Sequence, residues 1–222
     1  MRDRKAIGTG ATIATLAAGL ATYVSVAGGF GPRLERSPHQ ATGRVIAEEA
    51  LKLLKSGGEI VVIGRDTTAF KNPASDVQMA SFRQTISRAQ AKINAVHTLQ
   101  VDPLRPVEVP SGDFFELLRK TPPQDVIVSF MGPPLLSEAQ RLQLGEVKPR
   151  VIAFCSGSIP QQIDLRSLFE QGLLQTAIVS KRNVAVSTQS VSGYRQCFDR
   201  CFTIITSENV SMLPPLQTTA TP

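Results

Sequence analysis

The sequence predicts an α/β domain built as a doubly wound, mostly parallel sheet of five or six strands, on two observations. Short β-branched or aliphatic runs recur after residue 57 at intervals of about 25 residues, each ending in small, polar or charged residues. Helical patterns fill the gaps between them. Strands and helices alternating at this length argue for a parallel sheet covered on both faces. In such sheets ligands sit beyond the carboxyl ends of the strands, where the strand order reverses. The rhythm therefore sets the fold class and the working face, without naming a ligand.

Residues 31–41, rich in Gly, Pro and charge, read as a linker, and the α/β domain is expected over residues 42–207. A helix is expected from Thr42 to Lys55, with Val45, Ile46, Ala50, Leu53 and Leu54 on one face and Glu48–Lys52 as an i,i+4 pair. Ser56-Gly57-Gly58 stops it before a first strand, Glu59 to Gly64. Arg65-Asp66-Thr67-Thr68 follows as a polar loop, and Asn72-Pro73 reads as an N-cap with proline in the first turn. The second helix carries Met79, Phe82, Ile86, Ala89 and Ile93 as a core stripe. A second strand is expected over Val96–Asp102, then a proline-punctuated loop to Pro110 and a short helix from Ser111 with Phe114, Leu117 and Leu118 apolar.

The third strand is Asp125–Phe130, and Ser137 with Gln140 makes a capping box for a helix closed by Gly145. Arg150–Cys155 is the fourth strand, Asp164–Gln171 a helix packing Leu165, Leu168 and Phe169, and Leu174–Ser180 the fifth strand. Ser180-Lys181-Arg182-Asn183 is a polar turn. A last helix with Val191, Tyr194 and Phe198 leads to a final strand, Phe202–Thr206. The first three strands are expected at the centre of the sheet. Residues 208–222, Pro/Thr-rich, read as a disordered tail.

At 222 residues the chain suits one domain with a terminal appendage, and 42% hydrophobic residues suffice for a core. The net charge of +6 is scattered and not interleaved with aromatics, which argues against nucleic-acid binding. Arg2, Arg4 and Lys5 precede an uncharged stretch from Ala6 to Pro32. Residues 1–30 therefore read as a signal peptide or an N-terminal transmembrane anchor, which puts the domain on the extracytoplasmic side. Ser25-Val26-Ala27 offers small residues for cleavage; alternatively the run is long enough to span a bilayer, where about 20 residues suffice. Gly10, Ala14, Ala18 and Thr22 would then form a close-packing face.

Nucleophile and metal signatures are sparse. There is no Walker A loop, no G-x-G-x-x-G after the first strand and no G-x-S-x-G elbow. Cys155, Ser156 and Ser158 end a central strand, but activation needs an adjacent base, and His97 belongs to the middle of another strand. The two histidines lie far from any paired ligand, so no metal or other cofactor is expected. Cys197 and Cys201, four apart on a helix, leave a disulfide open, whereas Cys155 reads as a small core hydrophobe. The expected binding rim is Arg65, Asp66, Asp102, Met131, Ser156 and Lys181, polar or strand-end groups converging at one edge of the sheet.

Three stretches resemble the periplasmic solute-binding proteins of ribose/sugar-type ABC transporters, the type 1 periplasmic-binding-protein-like family. Gly172 to Val179 is similar to that family's strand after a helix-ending glycine. Phe202-Thr203-Ile204-Ile205-Thr206-Ser207-Glu208-Asn209-Val210 resembles its closing strand with Asn-Val, and Asp125-Val126-Ile127-Val128-Ser129 its aspartate before an apolar strand. The resemblance spans residues 58 to 213 and implies a flavodoxin-like strand order, a periplasmic location and a binding rather than catalytic role. The family's members have two lobes around a cleft, and this chain has room for one. With no Trp and two Tyr, the aromatic platform on which they stack sugars is missing. Two function classes follow. In one, a membrane-associated module holds a small polar solute as the substrate-binding component of an ABC-type transport system, with a permease or a second copy completing the site. In the other, a non-catalytic structural or accessory subunit of a bacterial envelope complex has lost its ligand. An enzyme using Cys155 or Ser156 is a third option.

Overall fold

The computed structural model describes residues 35–68, 71–100, 109–181 and 193–216. They alternate helix and strand: α1 (Arg36–Leu53), β1 (Ile60–Arg65), α2 (Pro73–Arg88), β2 (Ile93–Leu99), α3 (Ser111–Lys120), β3 (Val126–Ser129) and α4 (Glu138–Gln143). Then come β4 (Arg150–Cys155), α5 (Ile159–Gln162), α6 (Leu165–Glu170), β5 (Thr176–Ser180), α7 (Tyr194–Cys201), β6 (Phe202–Ile205) and a 3₁₀ turn, Ser207–Met212. The six strands form one sheet in the order β2-β1-β3-β4-β5-β6. All neighbours are parallel except β6, which runs antiparallel to β5. This is the expected doubly wound sheet in flavodoxin-like order.

The period-2 alternation of β1, β3, β4 and β5 divides the core between the two faces. Val61, Ile63, Ile127, Val151, Ala153 and Val179 point to one face, where α3, α6 and Leu213 cover them. Ile60, Val62, Val128, Ile152 and Ile178 point to the other, beneath α1, α2 and α7. On that second face Phe82 of α2 meets Phe130 edge to face, with centroids 5.5 Å apart. At the amino edge, Asp125 is buried and accepts a 2.9 Å bond from the Glu59 N–H, while Arg150 donates to the Leu53 carbonyl at 2.6 Å. These bonds hold the start of β1 against β3 and the end of α1 against β4.

Several expectations need correction. The first helix begins at Arg36, not Thr42, so half of the expected linker is helical. Pro38 does not forbid this, because the first turn of a helix needs no N–H bond; Thr42 Oγ1 donates back to the Pro38 carbonyl at 2.8 Å. Lys52 pairs with Glu49 at 2.6 Å, and Glu48 with Arg44 at 3.0 Å. The second strand runs from Ile93 to Leu99, earlier than expected, and lies at the sheet edge rather than in the centre. Its mixed burial explains the misplacement: Asn94, His97 and Thr98 are exposed and break the apolar run. A helix at Ile159–Gln162 was not foreseen. The start of the expected disordered tail is ordered, since Thr206 and Asn209 cap the 3₁₀ turn and Leu213 is buried against α6. Cys155, Cys197 and Cys201 are not joined in disulfides.

The uncharged N-terminal stretch lies outside the described residues, and no described helix is long and apolar enough to cross a membrane.

Candidate functional site

Strand order sets where a ligand fits. The strand order reverses between β1 and β3, and in open α/β sheets the ligand crevice lies beyond the carboxyl ends of the two strands at such a point. Arg65 and Asp66 leave β1 on one side of it. On the other, Phe130, Met131 and Gly132 leave β3, with the Phe130 N–H bonded to the Ile63 carbonyl at 2.9 Å. Gly132 has φ +97°, a conformation that glycine takes without steric cost, and it turns the chain away from the rim.

The loop after β1 is cross-braced. Asp66 Oδ1 accepts from the Thr68 N–H at 2.9 Å and from Thr68 Oγ1 at 2.7 Å, and the Asp66 N–H bonds the Leu99 carbonyl of β2 at 2.8 Å. Hydrogen bonds from the Thr68 hydroxyl and N–H, joined by Gln100, hold the Asp66 carboxyl below its ordinary value. Thr67 Oγ1 donates to Asp76 in the first turn of α2 at 2.8 Å, and Asn72 caps that helix by accepting from the Ser75 N–H at 3.1 Å. The sequence reading missed Thr68 and Gln100. Their only signal was position, two residues after an aspartate and directly after a strand.

Arg65 differs from its neighbours. Its Nε is buried with no hydrogen-bond partner, and the side chain forms no ion pair among the described residues.

The other expected rim residues do not all meet there. Met131 is 2% exposed and packs into the core beside Ile127 and Ile63, so it supplies apolar backing rather than a polar contact. Ser156 follows β4, two strand spacings from β1, or about 10 Å. Lys181 follows β5, about 14 Å from β1 by the same spacing. Its Nζ donates to the Asp199 carbonyl and its N–H to the Cys201 carbonyl at 2.8 Å, so it caps the end of α7. Asp102 lies outside the described residues. Arg65, Asp66 and the β3 loop thus share the crevice, while Ser156 and Lys181 stand successively farther along the rim.

Nucleophilic chemistry finds little support at this edge. Cys155 is fully buried, and burial pushes its thiol above the ordinary value, which keeps it protonated and unreactive. Ser156 is half-buried. Among the described residues no group of three or more His, Cys, Asp or Glu is placed to hold a metal ion. Grooves lined by described residues lie elsewhere, one of about 300 Å³ between the ends of α3 and α4 and one of about 440 Å³ between α6 and the segment Leu213–Leu216.

No protein-family model matches the chain, and no curated protein sequence does. Solved structures do match. A Bacteroides fragilis protein described as a LacI transcriptional regulator superposes with a TM-score of 0.52 at 13% identity, covering 79% of this chain and 62% of its own. The arabinose-binding protein AraP of Geobacillus stearothermophilus superposes with a TM-score of 0.51 at 18% identity, covering 79% of this chain and 63% of its own. The match spans less than two thirds of either neighbour's length. With the strand order and two-faced helix cover described above, these likenesses establish that the chain has the type 1 periplasmic-binding-protein-like fold.

Proposed function

We propose that this protein is a non-catalytic, extracytoplasmic solute-binding module, the substrate-binding component of an ABC-type transport system, and that it takes a small polar solute at the β1/β3 crevice. The observation that carries this reading is the crevice itself: a strand-order reversal whose loops present Arg65 and the braced Asp66 turn in a fold shared with an arabinose-binding protein. The positively charged start and uncharged stretch of residues 1–30 support export, with the segment cleaved or kept as an anchor. A membrane permease is the partner this reading calls for. With no Trp and two Tyr in the chain, this reading gives hydrogen bonds and charge the larger share in holding the solute.

A thermal-shift screen of the full-length chain against pentoses, hexoses, their acids and amino acids tests the reading. A ligand that binds only the folded state at a hundredfold excess over its Kd adds about 2.7 kcal/mol of stability, and the melting temperature must rise. A screen in which nothing shifts the melting temperature would reject the proposal.

A further inference from the structure

Arg65 is a cation that pairs with no carboxylate among the described residues. A guanidinium has five N–H donors and a fixed positive charge, and an unpaired buried donor costs about 1–3 kcal/mol. Other half-buried arginines are engaged: Arg44 with Glu48, and Arg150 with the Leu53 carbonyl. Arg65 has no such partner among the described residues, although its Nε is buried. Asp66, next in sequence, accepts from Thr68, and Asp76 from Thr67; neither forms an ion pair with Arg65. Its neighbour across the strand pair is Leu99, and the β3 loop opposite contributes the buried Met131. Leu99 and Met131 are apolar, and among the described residues no carboxylate pairs with the Arg65 guanidinium. A neutral hydroxyl would satisfy one donor and leave the charge unmatched. A carboxylate or phosphate oxygen pair satisfies two donors and the charge together, in the fork geometry that arginine favours.

We propose that Arg65 makes this site selective for an anionic solute, one carrying a carboxylate or phosphate group that pairs with the guanidinium at the β1/β3 crevice. The proposal rests on the solute-binding reading above and narrows it from polar solutes to oxyanion-bearing ones. The net charge of +6 favours the approach of such a solute.

Matched pairs of probes separate the two readings. Melting temperatures of the full-length protein are measured with arabinose and arabinonate, with galactose and galacturonate, and with inorganic phosphate, for the wild type and for Arg65→Gln and Arg65→Lys. The acids or phosphate, and not the neutral sugars, should raise the wild-type melting temperature by about 5 °C or more at saturating excess. Arg65→Gln should abolish the shift, and Arg65→Lys should keep part of it, since lysine restores charge without the fork. Circular dichroism of the unliganded variants establishes that each is folded; if Arg65→Gln does not fold, the partial shift expected of Arg65→Lys carries the test. Shifts with the neutral sugars alone would leave the solute-binding reading standing and overturn the anion proposal. An acid-induced shift undiminished in both variants would overturn the role of Arg65. No shift with any probe would overturn the proposal, and a null result in the wider screen would remove the reading beneath it.

Discussion

Gly43 sets how closely α1 and α2 approach. A methyl group at this position would lie 2.1 Å from the Gln78 carbonyl oxygen, backbone that cannot rotate away. Gly43→Ala should therefore destabilise the protein by about 1–3 kcal/mol, the usual cost of overpacking, despite alanine's better helix propensity. Urea unfolding measures it, and a stabilised variant would contradict the close approach. The sequence could not reveal this constraint. Val45, Ile46 and Ala50 were legible as a buried stripe because periodicity is local, whereas the meaning of Gly43 lies in a residue of another helix. Asp66 gives a second residue-scale prediction. Its folded-state pKa is lowered by the bonds from Thr68, so the turn is favoured above the unfolded-state value and lost as pH falls through the lower, folded one. The Thr68 amide resonance should titrate with a midpoint below the ordinary 3.8, and a midpoint at or above it would remove the Asp66 carboxylate from the turn.

Among the elements, α2 and α4 make a useful contrast. Both were readable from their caps: Asn72-Pro73 starts α2, and the Ser137/Gln140 capping box forms around α4 with bonds of 3.3 and 2.9 Å. Their ties to the core differ. α2 inserts Phe82, fully buried, whereas α4 buries no residue and leaves Leu142 81% exposed. Phe82→Ala should cost about 3–5 kcal/mol of global stability. Ser137→Ala removes a cap worth about 1 kcal/mol, but that loss is local. Hydrogen exchange should speed up across residues 138–143 while the global unfolding midpoint stays in place; a matching drop in the midpoint would mean that α4 folds as one unit with the sheet. The edge strand β2 and the 3₁₀ turn after β6 were the least legible elements. An edge strand needs only partial apolar burial, and the Thr206–Asn209 cap lies in a stretch whose composition resembles a loop.

For the whole molecule, the fold class could be read from the strand rhythm because β1, β3, β4 and β5 are buried on both faces and are apolar almost throughout. The site could be read only as an edge of the sheet. Arg65 and Asp66 were visible as charges after a strand, but which groups would be spent on each other depends on strand order. Lys181, which looked equivalent to Arg65, turns out to cap α7 three strands away. The same geometry limits binding. A crevice at the edge of the described lobe, taken by itself, leaves one side of a solute in water, and a second surface closing over it would add contact and desolvation terms. If the site binds a solute, a second surface should complete it, and another copy of this chain or a membrane partner is the surface that the following experiment tests. Sedimentation of the full-length protein in detergent, with and without solute, should therefore show self-association that solute strengthens, unless the permease supplies that surface. In that case, the isolated chain should bind no tighter than about millimolar, near −4 kcal/mol. A strictly monomeric chain that binds its solute with micromolar or tighter affinity would show that one lobe suffices, and the argument from exposed solute would fall.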